Sequence, residues 1–303
     1  MNLSAYQPTR GLPRVALVSC GELPDGDPDD RLLIAPLRAR GIEAVPAVWD
    51  DPAVDWTRAD LTVIRSTWDY PTRRDEFVAW AGTVPGLANP ADIVEWNTDK
   101  RYLGQLAAAG VATVPTEWIA PDETWRPPAT GEYVIKPAVS GGSRDTGRYN
   151  LADPEHRRAA VVHLDRLAAS SRVAMVQPYL TAVDQAGETA LMYVVGPRGP
   201  EFSHAVRKGP MLTGPDPGTS GLYLAEKIEA REPRTAELEL ADGVLAAVPG
   251  GADRLLYARV DVIPGPDGTP MLVEVELTEP SLFLSYGQGA ADRLAEAIAA
   301  RLG

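Results

Sequence analysis

The chain has 303 residues, 45% of them hydrophobic and 23% charged, with a formal net charge of −13. That size suits two or three compact lobes, and the negative charge argues against nucleic acid or an anionic membrane as partner, since both demand a basic face. No stretch approaches the roughly 20 apolar residues of a membrane span, the N-terminus "MNLSAYQPTRGLP" lacks a signal peptide's apolar segment, and the single cysteine, Cys20, allows no intrachain disulfide, so the cytoplasm is the expected setting.

The apolar run over 15–19 reads as a strand; Cys20 follows it and is expected to be buried rather than catalytic. "DPDDRLLIAPLRARG" has Asp caps, an apolar stripe and a terminal glycine, the pattern of a helix. "IEAVPAVWD" and "ADLTVIRSTWDY" supply two further strands. Strands alternating with helices predict a parallel, doubly wound sheet, in which ligands bind beyond the carboxyl ends of the strands. Arg65, Ser66 and Asp69 fall at such an end and are candidate substrate contacts; a surface turn or an ion pair at the sheet edge would explain them equally.

After a helix over 73–82, "NTDKRYLGQLAAAG" offers Asn97 or Thr98 as a helix cap and puts Lys100 in the first turn, against the helix dipole unless it meets an anion there. Lysine is scarce, with only Lys100, Lys136, Lys208 and Lys227, so each setting matters. A strand over 113–119 and a Pro-rich connection lead to "EYVIKP", where Lys136 sits at a strand end before the glycine loop "SGGSRDTG". The N–H groups and hydroxyls of Ser140, Gly141, Gly142 and Ser143 would cover an anion, although the loop does not follow the Walker pattern. A helix, the strand "RVAMVQPYL" and a hairpin ending in Arg207 and Lys208 come next. Residues 209–223 carry four glycines, three prolines and no periodicity, and so predict a long mobile loop.

"LYARVDVIPGPDGTPMLVEVE" is a hairpin around a Pro/Gly turn, and a helix closes the chain. Alternation puts Val260, Val262, Val273 and Val275 on apolar positions and Arg259, Asp261, Glu274 and Glu276 on the other face. A half-solvated strand would look the same. Three neighbouring carboxylates need a counter-charge, however, and hard oxygen donors without Cys or His favour Mg²⁺.

The order of these features, namely two phosphate lysines, a glycine loop, a strand end for a base and late carboxylates, resembles the ATP-grasp superfamily over residues 95–303, and the glutathione synthetase branch most closely. "RSTWDY", "NTDKRYL" and "HAVRKGP" resemble ATP-grasp proteins of actinobacterial specialised metabolism, such as the cyclo-ligases that close O-ureidoserine to cycloserine. The resemblance implies an α/β fold with a doubly wound substrate lobe over 1–95, a small lobe with the glycine loop over 96–183 and a metal-bearing lobe over 184–303.

By the same resemblance, Lys100, Lys136 and the Ser140–Ser143 loop hold ATP phosphates, Gln177, Tyr179 and Leu180 face the base, and Glu188 lies near the ribose. Asp261, Glu274 and Glu276 would bind two Mg²⁺, with Mn²⁺ admissible; the branch often has Asn where this chain has Glu276. Arg207 would steady the transferred phosphate. Arg259 would stabilise the oxyanion, unless it is a structural ion pair with Glu274 or Glu276. The implied reaction activates a small amino-acid carboxylate as an acyl phosphate for an amine-type nucleophile, releasing ADP. Arg65 would grip that carboxylate, Asp69 its ammonium and Trp68 bound the pocket, with Ser66, Lys208 and Glu279 beside them. A two-substrate peptide-type ligase, a non-catalytic nucleotide-binding protein and a homo-oligomer stay open.

Overall fold

The computed structural model describes residues 11–216, 218, 222 and 227–303. In chain order these form β1 (Arg14–Ser19), α1 (Pro28–Arg31), α2 (Ile34–Ala39), β2 (Glu43–Val48), β3 (Leu61–Ser66), α3 (Arg74–Ala81), β4 (Leu87–Ala88), α4 (Ala91–Asn97) and α5 (Tyr102–Ala108). There follow β5 (Glu117–Ile119), β6 (Glu132–Pro137), β7 (Gly147–Asn150), α6 (Pro154–Ala169), β8 (Ala174–Pro178), α7 (Val183–Ala186), β9 (Glu188–Gly196) and β10 (Gly199–Lys208). The chain ends with β11 (Ile228–Arg231), α8 (Thr235–Ala246), β12 (Tyr257–Pro264), β13 (Pro270–Glu276) and α9 (Ala290–Leu302).

The fold is α/β, built on three sheets. The N-terminal strands form the expected parallel sheet in the order β2-β1-β3-β4. A small antiparallel sheet, β5-β8-β6-β7, is backed by α6, and a five-stranded antiparallel sheet runs β11-β10-β9-β12-β13. In β9 both faces are covered: Ala190, Met192 and Val194 join one core with β1, β3 and α9, while Leu191, Tyr193 and Val195 join another with α5 and α8. That two-sided burial explains why "TALMYVV" is a continuous apolar run rather than an alternating one.

Several expectations shift. The single helix expected after β1 is two pieces, α1 and α2, with α1 started by Pro28 and a reciprocal cap between Asp27 and Asp30. Lys100 lies in the turn between α4 and α5, and Asn97, expected as a helix cap, is buried instead. Its amide donates to the carbonyl of Val275 (2.7 Å) and accepts from the N–H of Leu277 (2.7 Å). Asn89 does the same with the carbonyls of Tyr257 (2.9 Å) and Leu277 (2.6 Å) and the N–H of Leu256 (2.6 Å). These two side chains fasten the carboxylate hairpin to the N-terminal half. Helix α5, expected in the small lobe, packs Tyr102, Leu103 and Leu106 on the large sheet, because its apolar face meets Leu191, Leu272 and Val275 there.

Of the loop over 209–223, residues 217, 219–221 and 223 lie outside the described residues. The described part crosses to the small sheet, where the Gly214 carbonyl accepts from the N–H of Arg148 (2.8 Å) and the Asp216 carboxylate pairs with Arg166. A Cβ at Gly147 would come within 2.5 Å of the Asp216 nitrogen, so only glycine permits this approach.

Candidate active site

Between the two antiparallel sheets lies a cavity of about 660 Å³. Strand β13 delivers Glu274 and Glu276 to it, and the antiparallel register sets Asp261 of β12 opposite Glu274 and Arg259 opposite Glu276. One oxygen from each of Asp261, Glu274 and Glu276 lies within 4.8 Å of the others. From the other side, the glycine loop lines the cavity with Ser140 to Ser143, and Lys136 projects from β6 beside it. Lys100 bridges the two sides: its Nζ donates to the Ser140 carbonyl (2.8 Å) and lies 3.3 Å from Glu274. The bond from the Lys100 N–H to the Ala138 carbonyl (2.9 Å) fixes that turn.

Burial alone would raise the carboxyl of Glu274, but Lys100, Lys136, Lys208 and Arg259 hold it well below the usual carboxylate range. Glu276 moves the other way: burial, with Glu274, Asp261 and Glu279 nearby, pushes it well up against the pull of Arg259. For Lys136, burial and the neighbouring Lys100 and Lys208 outweigh Glu274 and Glu188, so its ammonium is destabilised. A strongly anionic triphosphate entering this nest of lysines would relieve that repulsion. The donors of the acidic trio are all hard oxygens on a shared face, which fits Mg²⁺.

Residues 15–91 match the family model for the N-terminal domain of D-cycloserine synthetase DcsG. Over 287 residues the chain is 38% identical to the cycloserine biosynthesis protein DcsG of Streptomyces lavendulae, spanning 89% of this chain and 92% of that protein. The chain belongs to the DcsG family of ATP-grasp proteins. The crystal structure of D-cycloserine synthetase DcsG matches with a TM-score of 0.84 and 34% identity, over 96% of this chain and all (100%) of the other. More distantly, an ATP-grasp RimK domain protein from Sphaerobacter thermophilus (TM-score 0.62, 19% identity, 96% of this chain and 100% of that one) shares the fold. So does a D-alanine–D-alanine ligase from Bacillus anthracis (TM-score 0.63, 15% identity, 96% and 97%).

This DcsG-family protein is therefore an ATP-dependent carbon–nitrogen ligase, and ATP and Mg²⁺ are the cofactors its superfamily uses. Gln177, Tyr179, Leu180 and Glu188, the residues expected at the nucleotide, line the cavity with Val134, Met211 and Leu212. The Gln177 amide is held by Thr116 (2.9 Å) and the Tyr179 ring lies 3.6 Å beneath the Arg148 guanidinium. Lys208, expected beside the substrate, lines the cavity and is tied to Glu188 and to Asp261 (3.0 Å).

Its neighbour Arg207 does not line the cavity. Adjacent residues of a strand face opposite ways, so with Lys208 inward the Arg207 guanidinium turns out to the carbonyls of Ala186 (2.7 Å) and Gln185 (2.9 Å). The expectation that Arg207 steadies the transferred phosphate is corrected accordingly. Arg259 forks onto both oxygens of Asp261 (2.9 and 2.8 Å) and reaches Glu276 (2.5 Å), so it is an ion pair within the carboxylate face, with its Nη1 extended to the Ser281 carbonyl (3.2 Å).

The structure also removes Arg65 from the substrate. It is 2% exposed, does not line the cavity, and its Nε pairs with Asp30 (2.8 Å) while its guanidinium stacks over Tyr257. Ser66 is fully buried, and Asp69 accepts the Trp49 indole N–H (3.0 Å). What the N-terminal lobe does bring to the cavity is Asp27, Pro28, Asp29, Leu32, Trp68 and Tyr70. They meet Glu279, Ser281 and Phe283 from the segment after β13. Alternation had no purchase on that segment because it is neither strand nor helix, although its aromatic residues next to the carboxylates were a visible signal.

Burial, outweighing Lys100 and the Tyr70 hydroxyl bond, pushes the Glu279 carboxyl up to about 7. A folded-state value raised above the unfolded one gives a contribution to stability that is complete at acid pH and lost as pH rises through 7. Glu279→Gln is therefore expected to flatten the fall in thermal midpoint of the ligand-free protein between about pH 5 and 7. An unchanged slope would refute this assignment.

Proposed function

We propose that the protein closes a small amino-acid derivative on itself: it phosphorylates the carboxylate from ATP and lets an amine-type nitrogen of the same molecule displace the phosphate. The observation that supports this most is the likeness, over 89% of the chain, to a relative named for cycloserine biosynthesis. We place the protein in antibiotic-type specialised metabolism and, since it needs ATP, in the cytoplasm. Lobes over 1–95, 96–183 and 184–303 remain our division of the chain, with α5 docked on the last.

Lys100, Lys136 and the N–H groups of the Ser140–Ser143 loop position the triphosphate, with the base between the two antiparallel sheets and the ribose near Glu188. A substrate carboxylate oxygen beside Arg259 then attacks the γ-phosphorus, the bond to the β-phosphate oxygen breaks, and ADP leaves. The substrate nitrogen adds to the acyl carbon, the carbon–oxygen bond to phosphate breaks, and the nitrogen's proton passes to the departing phosphate. Asp261, Glu274 and Glu276 would hold Mg²⁺, two ions in our reading and replaceable by Mn²⁺, which supplies charge neutralisation at the phosphates. Glu279, rather than Asp69, is the carboxylate placed to meet the substrate ammonium. Positioning and charge do the work, and the protein forms no covalent bond.

The test is a panel of amino acids and O-substituted serines, scored for ADP release and product mass. ADP release with a product made from one amino-acid molecule is expected. A condensed product of two molecules would select a peptide-type ligase, AMP release would exclude the acyl phosphate, and ATP binding without turnover on any carboxylate would favour a nucleotide-binding regulator. Light scattering in the same buffers reads whether the enzyme is a homo-oligomer.

A further inference from the structure

The segment after β13 lines the cavity through Glu279, Ser281, Phe283, Ser285 and Tyr286. In its middle, Phe283 has φ 48° and ψ 42°, the left-handed region that a bulky aromatic residue rarely occupies. Four side chains, from α1, β10, β12 and the loop after β3, hold it there. Asp29 accepts the N–H groups of Leu284 (3.0 Å) and Ser285 (3.2 Å). The His204 Nε2 sits 2.9 Å from the Leu282 carbonyl and 3.1 Å from that of Phe283, and so carries its proton at that nitrogen. Trp68 donates to the Glu279 carbonyl (3.0 Å), and Arg259 to that of Ser281. Gly287, where a Cβ would lie 2.5 Å from the His204 ring, lets the segment close down on that histidine.

A glycine would adopt this backbone without strain, so the path of the chain does not call for a phenylalanine. The side chain packs partly against the core beside β9 and α9 and also sets a ring at the cavity wall, 5.6 Å from the Arg259 guanidinium and edge-on to Tyr286. Strain that surrounding contacts over-determine points to a function for the residue that bears it. We infer that Phe283 is the specificity-determining residue of the acyl-substrate pocket: its ring backs the Arg259 guanidinium and limits the side chain of the amino acid to a small group. The inference rests on the ligase reading and deepens it.

The decisive experiment compares wild type with Phe283→Leu and Phe283→Gly, using O-methylserine and O-benzylserine as probes. ADP release gives kcat/KM for each, and calorimetry in the presence of Mg²⁺ and a non-hydrolysable ATP analogue gives their affinities. Expected is a rise of at least about tenfold in the O-benzyl to O-methyl ratio in both variants, with nucleotide affinity within about twofold of wild type. Leucine keeps the strain and shortens the wall, so its result stands if the glycine variant proves too unstable. Turnover in the wild type with an unchanged ratio in the variants overturns the inference and leaves the ligase reading intact. Neither probe carries the side-chain nitrogen that ring closure needs, so if the wild type turns over neither, the ratio of their affinities decides the role of Phe283 and an unchanged ratio in the variants overturns the inference, while the ligase reading stands or falls on the substrate panel above.

Discussion

Glu274→Gln is expected to leave the fold intact and lower the rate of ADP formation by at least about two orders of magnitude, equivalent to about 2.7 kcal/mol of transition-state stabilisation. The substitution keeps the shape of the side chain and removes one charge. That charge is the one the site is organised around: Lys100 lies 3.3 Å from it, and Lys136, Lys208 and Arg259 all act to keep it ionised. The amide can neither neutralise those cations nor serve as a full metal ligand. Because Lys100, Lys136, Lys208 and Arg259 lose their counter-charge, the variant is less stable than wild type, so turnover is compared at a temperature where circular dichroism shows both proteins folded. The measurement is kcat for ADP release at saturating ATP together with the Mg²⁺ concentration giving half-maximal rate, which should rise. Near-normal turnover at the wild-type Mg²⁺ requirement would return β13 to a merely half-solvated strand.

Glu274 was legible in the sequence because the period of a strand is two, and that rule places Glu274, Glu276 and Asp261 on one face whatever the tertiary context. The same holds for Lys136, whose place at a strand end before a glycine loop depends only on local chemistry. Alternation also tells that Arg207 and Lys208 face opposite ways; which of them faces inward depends on a sheet that assembles from β9 and β12, and the scarcity of lysine was the better guide. Asn97 shows the limit of local signals. Asn before a helix-like stretch reads as a cap, yet its partners are backbone groups of Val275 in β13 and of Leu277 just after it, 178 and 180 residues away. Nothing within a window of ten residues encodes that pairing. The left-handed backbone of Phe283 is hidden for the same reason, since Asp29, His204 and Trp68 impose it from far away in the chain.

Arg65→Ala is expected to destabilise the protein by about 3–5 kcal/mol rather than to weaken substrate use selectively. The loop "RSTWDY" places Arg65 at the carboxyl end of β3, where an open α/β sheet offers its ligand crevice, but Asp30, 35 residues earlier, reaches it first. Both side chains are almost fully buried, at 2% and 5% exposure, and the Asp30 carboxylate also accepts the Asp27 N–H that starts α1. On its other side the guanidinium covers the ring of Tyr257, whose hydroxyl donates to the carbonyls of Ile64 (2.6 Å) and Thr278 (2.9 Å) and so ties β3 to the end of the carboxylate strand. Alanine would leave a buried carboxylate without its counter-charge, a cavity beside Tyr257 and a loosened junction between the two lobes. The pair itself contributes less than its removal costs: the Arg65 Nη1 has no hydrogen-bond partner among the described residues, and both charges have left water. Arg65→Met combined with Asp30→Asn should for that reason recover most of the loss, since no lone charge is then buried. Urea denaturation midpoints of the two single variants and the double variant measure the coupling directly. A variant Arg65→Ala with wild-type stability and a raised KM for the amino acid alone would restore Arg65 to the substrate.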